Sequence, residues 1–292
     1  MSVPNRLTRG SPTVPALGSR ALSLIFLVVV AGYCLLPVSW LLFASTKSTG
    51  DLYGTFGFWF AEFNLFENLR RLGSEDGGVF VRWMLNSVLY AGVGGLLSML
   101  VSALAGYGLA KHRFAGRELI FGVILGGVLI PGAVLALPLF LLLSNLGLTN
   151  TYLGVLLPSL VSPFGVYLSR VYAEAAVPDE LLEAARVDGA GEFRTFFTMV
   201  LRIMGPALVT VFLFQFVAIW NNFFLPLVVL SRTELFPVTL GLYAWQGQAL
   251  GNPDIVSLVI TGSLVASLPL VVLFFSLQGY WRAGATAGAV KG

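Results

Sequence analysis

Charged residues are scarce in this sequence. Asp, Glu, Lys and Arg make up 11% of its 292 residues and hydrophobic residues 57%, with a mean hydropathy of +0.87. A soluble globular domain carries about 25% charged residues, because water must solvate its surface. The composition therefore excludes an ordinary soluble domain and favours an integral membrane protein.

Histidine and cysteine are nearly absent, since His112 and Cys34 are the only examples of each. A single histidine excludes a zinc site built on several histidines, and a single cysteine excludes a disulfide within the chain. The sequence contains neither a G-x-x-x-x-G-K-[ST] phosphate loop nor a G-x-S-x-G nucleophile motif. These absences predict a chain with no catalytic residues, no metal site and no cofactor of its own.

Long uncharged runs, by contrast, are abundant. Six windows contain no Asp, Glu, Lys or Arg: residues 21–43, 83–110, 119–143, 152–169, 203–230 and 255–281. A membrane-spanning helix needs about 20 apolar residues, and a lipid-exposed backbone must satisfy its own hydrogen bonds. The sequence therefore predicts an all-α integral membrane protein with six transmembrane helices in one domain, residues 21–292, after a tail at residues 1–20.

Prolines within or beside these windows are expected to kink the spans, because proline removes a backbone hydrogen bond and clashes with the preceding turn. They are Pro131, Pro138, Pro158, Pro163, Pro206, Pro226 and Pro269.

Lys and Arg are distributed unevenly between the two sets of loops. If the N-terminus is cytoplasmic, the inner segments hold 12 of the 17 basic residues; they are the two tails, residues 111–118 and residues 170–202. The positive-inside rule then places both termini in the cytoplasm. The expected localisation is the plasma (inner) membrane. The basic residues flank spans and form no patch, so nucleic-acid binding is not indicated.

None of the six windows contains an acidic residue or a histidine. Proton- and ion-coupled transporters commonly keep such residues inside the membrane as relays. If the protein transports a solute, we expect the energy to come from another subunit.

One polar block interrupts this apolar pattern at residues 177–202. Pro178, Asp179 and Glu180 are typical of a helix start, and "LLEAARV" continues with helix-forming residues. Asp188-Gly189 predicts a turn, after which aromatic residues lead back into the membrane. This pattern fits either an ordinary interfacial helix or a rigid docking site for another protein.

The residues of this block carry a family resemblance. The stretch "EAARVDGAGEFRTFFTMVLRIMGPAL" at residues 183–208 closely resembles the EAA loop in permease subunits of ABC importers, in particular carbohydrate-uptake systems of the maltose and glycerol-phosphate types. Other segments resemble the same family in the same order: "NSVLYA" at 86–91, "AGYGLAKHRFAGR" at 105–117, "WNNFFLPLVVL" at 220–230 and "TAGAVKG" at 286–292. We call residues 177–202 the EAA loop.

The resemblance implies a type I ABC-importer permease fold and a set of partners. These are a second, homologous permease, two ATPase subunits that bind ATP and Mg²⁺, an extracytoplasmic solute-binding protein and membrane lipid. It further implies that the EAA loop is the coupling helix that docks on the ATPase, through Glu183, Ala184, Ala185, Asp188 and Gly189. One departure is visible: this chain has Leu201-Arg202 where the family usually has Leu-Pro, which puts the local kink in question.

Uncharged polar and aromatic residues within the spans are candidates for the substrate path: Asn86, Gln215, Trp220, Asn221 and Asn222. Amide groups and aromatic faces suit a sugar, but amides in membranes also bridge helices. The expected function is import of a sugar or sugar-like polyol, without enzymatic activity in this chain. An ABC importer for another solute, or a self-sufficient secondary transporter or channel, are the alternatives.

Overall fold

The computed structural model describes residues 17–289, with side chains described for residues 21–280, and this part of the chain contains helices and no strand. Its α-helices are α1 Leu17–Ser45, α2 Thr49–Gly54, α3 Leu65–Ser74, α4 Val79–Lys111, α5 Arg117–Val128, α6 Gly132–Asn145, α7 Tyr152–Ser159, α8 Pro163–Ala176, α9 Asp179–Val187, α10 Glu192–Thr195, α11 Leu201–Ile203, α12 Gly205–Trp220, α13 Phe224–Val229, α14 Val238–Gln246 and α15 Ile255–Ala289. Two 3₁₀ turns lie at Glu75–Gly77 and Thr233–Leu235, and a π-helical turn lies at Phe196–Val200. Residues 1–16 of the predicted tail, and the end of the C-terminal motif at 290–292, lie outside the described residues.

Three of the predicted spans are single helices: α1, α4 and α15 are each long and apolar enough to cross a membrane. Three further spans are bent pairs: α5 meets α6 at 105°, α7 meets α8 at 40°, and the helical run Glu192–Ile203 meets α12 at 85°. Within residues 17–289 there are thus six spans if each bent pair counts as one. The all-α membrane architecture is confirmed, but half of its spans are not straight helices.

Two of the predicted proline kinks coincide with these bends. Pro131 precedes α6 directly, where its missing N–H removes a hydrogen bond that α5 would need to continue. Pro163 is the first residue of α8, and the Ser162 hydroxyl accepts a hydrogen bond from the Gly165 N–H at 3.0 Å. Pro138 and Pro269, in contrast, lie inside the helices α6 and α15, which are not interrupted at these prolines.

The third bend lies at Met204, between α11 and α12, with Pro206 in the first turn of α12. Arg202, which replaces the proline usual in the family, is exposed. The chain therefore turns back toward the membrane two residues after Arg202, with a proline close behind the bend.

The long helix α4 is the centre of the bundle. Its 33 residues span about 50 Å at 1.5 Å per residue, and it packs against both α8 and α12. One end of α4 lies beside the EAA loop, which we call the EAA end. The other end lies beside residues 46–78 and 231–254, which we call the opposite end.

Two apolar cores follow from this arrangement, and α4 contributes to both. At the opposite end, Trp83 and Tyr90 pack with residues of α12, α14 and α15. At the EAA end, Tyr107 packs with Leu182 and Phe196 of the EAA loop. The EAA loop therefore rests on a buried aromatic core and is not attached only through its chain ends.

A missing side chain permits the contact between α4 and α8. A Cβ atom built on Gly106 would lie 2.5 Å from the Ser169 Cβ and 2.6 Å from the Arg170 backbone nitrogen. Backbone atoms cannot yield as a flexible side chain does, so only glycine permits this approach.

We expect Gly106→Ala to destabilise the purified protein by about 1–3 kcal/mol, as overpacking does elsewhere. Gly108→Ala is the matched control, because a Cβ on Gly108 of the same helix meets nothing within 4 Å. Thermal unfolding in detergent measures both. A melting temperature for Gly106→Ala equal to that of Gly108→Ala would contradict the close contact.

Candidate functional site

The helix of the EAA loop starts as its sequence indicates. Pro178 precedes α9 with extended backbone dihedrals, φ −69° and ψ 139°. Asp179 and Glu180 occupy the first turn, where their negative charge complements the positive end of the helix dipole.

The helix ends in a hydrogen-bonded turn at Gly189. The N–H of Gly189 donates to the Arg186 carbonyl at 3.0 Å, and the N–H of Ala190 donates to the Ala185 carbonyl at 2.9 Å. This pair of bonds is a Schellman motif, which requires a left-handed residue, and Gly189 has φ +74°. The turn is therefore ordered, and it presents a rigid projection at the EAA end.

The two faces of α9 have different surroundings. Leu182 and Ala185 are both 4% exposed and face the protein interior. Glu183, Ala184 and Asp188 are exposed. The sequence-based expectation placed Ala185 in a docking contact, but the three-residue spacing from Leu182 puts both side chains on the inward face. In this structure Ala185 seats the helix on the bundle.

The EAA loop also carries two exposed apolar side chains. Val187 is 87% exposed and Phe193 is 74% exposed. The motif-based reasoning did not select Val187. The helical period could have identified Val187 as exposed, because at 3.6 residues per turn Val187 lies on the opposite side of α9 from Leu182 and Ala185.

Charged pairs tie the EAA loop to the end of α4. The Lys111 Nζ donates to Asp179 Oδ1 at 2.7 Å, and the Lys111 side chain is only 8% exposed. The His112 Nε2 lies 3.2 Å from Glu192 Oε2, and the Arg186 Nε donates to Glu192 Oε1 at 3.1 Å. His112, the single histidine of the sequence, is therefore part of this contact. We call the Lys111–Asp179 and His112–Glu192 pairs the α4 latch.

The electrostatics of these pairs agree with their geometry. The hydrogen bond from Lys111 holds the pKa of the Asp179 carboxyl below its usual value. Burial raises the pKa of the Glu192 carboxyl, but the hydrogen bonds from Arg186 and His112 outweigh this effect, so the net pKa lies below the usual value. Both carboxylates are therefore ionised at neutral pH and able to hold their partners.

A cavity of about 470 Å³ lies between α6, the end of α7 and the junction of α12 with α13. Asn221 and Asn222 line it, together with Ser159, Phe223 and Phe224. The Asn221 Nδ2 donates to the Val217 carbonyl at 2.9 Å, which orients that amide. Two of the five residues predicted for a substrate path therefore line an open cavity.

The other three are packed inside the bundle. Gln215 is 8% exposed, and its Nε2 donates to the Ser162 hydroxyl, which joins α12 to the start of α8. Trp220 is 2% exposed and stacks on Phe216 with an interplanar angle of 16°. Asn86 is 4% exposed and bonds to the backbone of residues 234 and 236. In this structure Asn86 and Gln215 bridge separate segments, Trp220 packs in the apolar core, and none of the three lines the cavity.

A family model for the inner membrane component of binding-protein-dependent transport systems matches residues 98–284 of this chain. The chain belongs to that family. The permease is thus a multi-pass membrane protein and a transport component, not an enzyme, in agreement with the sequence-based expectation.

The sequence similarity to curated relatives extends over nearly the whole permease. It is 36% identical over 280 residues to the arabinooligosaccharides transport system permease protein AraQ of Bacillus subtilis, covering 93% of this chain and 95% of that protein. It is 34% identical over 268 residues to the lactose transport system permease protein LacG of Rhizobium radiobacter, covering 91% and 94%.

Its fold matches a chain from the crystal structure of a bacterial ABC transporter involved in the import of the acidic polysaccharide alginate. The TM-score is 0.78 at 22% identity, and the match covers 93% of the permease and 100% of that chain. This likeness confirms the ABC-importer permease fold.

The α4 latch predicts how the EAA loop responds to charge reversal. Lys111→Glu places a second carboxylate beside Asp179, at a position where the Lys111 side chain is largely buried. Because the two negative charges repel, we expect the EAA loop to loosen and amide hydrogen exchange across residues 177–190 to become faster. The double variant Lys111→Glu/Asp179→Lys should restore part of the protection, because it re-forms the pair with exchanged signs but places a positive charge at the start of α9. Arg70→Glu is the control, since it breaks an exposed pair with Glu67 at the opposite end. Unchanged exchange in Lys111→Glu would show that the latch does not hold the loop.

Proposed function

We propose that this permease is one of two homologous membrane subunits of an ATP-driven importer for a neutral saccharide or a sugar-like polyol. The observation that carries the proposal is the EAA loop, a rigid projection that rests on a buried core and is latched to the central helix. A segment held in this way can transmit a force from a bound protein into the bundle.

The chemistry of the cavity supports a neutral, hydroxyl-rich solute. Its lining carries the amides of Asn221 and Asn222, the hydroxyl of Ser159 and two phenylalanine rings, and includes no charged residue. Amides donate and accept hydrogen bonds to hydroxyl groups, and aromatic faces pack against sugar rings. AraQ and LacG, which are named as permeases for arabinooligosaccharides and for lactose, agree with this class.

The outward face of the EAA loop suits a protein partner. Glu183 and Asp188 are exposed acids, while Val187 and Phe193 are exposed apolar side chains close to them in sequence. A groove with basic groups around an apolar pocket would complement this face. We assign that groove to an ATPase subunit, with two such subunits per complex holding ATP and Mg²⁺, and no cofactor on the permease itself. Glu183, Ala184, Asp188 and Gly189 remain the proposed contacts, with Val187 and Phe193 added and Ala185 as support beneath them.

Topology follows from this assignment. The EAA loop lies in the cytoplasm, and so do both termini, as the distribution of Lys and Arg predicts. The opposite end, with residues 46–78 and 231–254, then faces outward and receives a solute-binding protein. ATP binding closes the ATPase subunits, draws the EAA loops together and turns the bundle outward to accept the solute.

Docking can be tested with Gly189→Asp and Glu183→Lys. Asp at residue 189 must adopt a left-handed backbone at a cost of about 1–2 kcal/mol, and Lys at residue 183 reverses a contact charge. Neither change alters a span, so both variants should insert and pair with the second permease, yet lose the ATPase and solute uptake. Glu174→Lys is the control, because it reverses an exposed acid of α8 outside the EAA loop.

Copurification of the ATPase from one membrane preparation measures the result. If the EAA loop were only an interfacial helix, Glu183→Lys would strengthen its attraction to anionic lipid and leave the ATPase bound. Wild-type ATPase occupancy and uptake in both variants would refute the docking proposal.

The cavity predicts a separate effect on transport. Asn221→Leu and Asn222→Leu remove amide groups from its lining, so uptake of the saccharide should fall several-fold, as a lost hydrogen bond is worth about 1 kcal/mol. Asn145→Leu, at the exposed end of α6, is the matched control. Uptake of a panel of labelled oligosaccharides, with ATPase occupancy measured in parallel, tests this. Equal uptake in all three variants would place the solute path elsewhere.

A further inference from the structure

One face of α4 holds the backbone of residues 233–238 through side-chain hydrogen bonds. The Trp83 Nε1 donates to the Thr233 carbonyl at 2.8 Å, and the Tyr90 hydroxyl donates to the Leu235 carbonyl at 2.9 Å. The Asn86 Nδ2 donates to the Glu234 carbonyl at 2.9 Å and to the Phe236 carbonyl at 3.0 Å. In the other direction, the Val238 N–H donates to the Ser87 hydroxyl at 2.8 Å. We call Trp83, Asn86, Ser87 and Tyr90 the α4 clamp and residues 233–238 the strap.

The spacing of the α4 clamp explains how one helix provides all these bonds. Residues at intervals of three, four and seven lie on the same face of a helix. All four side chains are at most 4% exposed, so water does not compete for their partners. The strap forms only one short 3₁₀ turn, yet Leu235, Phe236 and Val238 are buried. Its carbonyls therefore depend on α4 for hydrogen bonds that a regular helix would have supplied internally.

Asn86 is the central residue of the α4 clamp. Both N–H groups of its amide donate to strap carbonyls, and its Oδ1 accepts a hydrogen bond from the Tyr152 hydroxyl at 3.1 Å. The amide thus joins α4, the strap and α7. Its donors are all used, and none is directed to a solute.

The strap leads directly into α14, which packs against α4 and α15 at the opposite end. The other end of the same α4 helix carries the α4 latch to the EAA loop. A single helix is therefore bonded to both ends of the molecule, through the buried α4 clamp at one end and the α4 latch at the other.

We propose that the α4 clamp makes the strap, α14 and α4 one moving body, so that docking of the solute-binding protein at the opposite end is transmitted through α4 to the EAA loop. Asn86 and Tyr90 are the positioning residues of this link. The inference rests on the proposed function, since it requires a binding protein and an ATPase that responds to it.

The test uses the complete complex, reconstituted in lipid nanodiscs, with and without binding protein loaded with the oligosaccharide that gives the highest uptake in the labelled panel described above. Tyr90→Phe removes one hydrogen bond and keeps the ring, and Asn86→Asp replaces two donors with an oxygen that faces two carbonyls. Both should assemble and keep basal ATP hydrolysis, while stimulation by the binding protein falls several-fold. Tyr280→Phe, an exposed tyrosine of α15, is the matched control and should be stimulated as wild type.

The outcomes separate the two proposals. If the wild-type complex hydrolyses no ATP or is not stimulated by the binding protein, the proposed function fails. If the wild type is stimulated, three results for Tyr90→Phe overturn the link: unchanged stimulation, a proportional loss of basal and stimulated hydrolysis, or failure to assemble. The last two would show a role in stability alone.

Discussion

A backbone amide or carbonyl that leaves its helix inside a membrane has no water to bond, and this constraint shapes most of the permease. Three of the six spans are interrupted, and each interruption needs substitute hydrogen bonds. The Ser162 hydroxyl provides one at the start of α8. Between spans, Asn150 acts in the same way through its Oδ1, which accepts from the N–H groups of Ser231 and Arg232. The α4 clamp does the same for the strap. Several of the scarce polar side chains of this apolar chain thus lie where irregular backbone has to be satisfied.

The same constraint gives α4 its central position. It is the longest described helix apart from α15, it packs closely against α8 because Gly106 has no side chain, and it contributes to both apolar cores. A rigid helix bonded at both ends is a suitable element for transmitting a displacement, because a packed core does not deform continuously. The EAA loop, held by a buried core and the α4 latch, is one end of that element.

Local patterns in the sequence were sufficient for much of this description. Uncharged windows of about 20 residues indicate spans whatever their neighbours are. The turn at Asp188-Gly189 was predictable because a Schellman motif is formed by hydrogen bonds within about six residues. Prolines were less informative: Pro131 and Pro163 mark real breaks, whereas helices run through Pro138 and Pro269. Surrounding packing decides whether a helix tolerates the missing hydrogen bond.

By itself, the sequence determined the membrane class, the approximate spans, the family and the position of the EAA loop, since each depends on composition or on residues close together in the chain. Only the tertiary structure decided which polar residues hold the backbone of other segments and which line the cavity. Asn86 and Asn221 are the same residue type in similar apolar surroundings, yet one bonds to a backbone 148 and 150 residues away and the other lines a cavity. Ala185 and Ala184 are neighbours, yet only Ala184 faces outward. Such roles depend on contacts between residues distant in sequence, and no local pattern encodes the direction in which a side chain meets them.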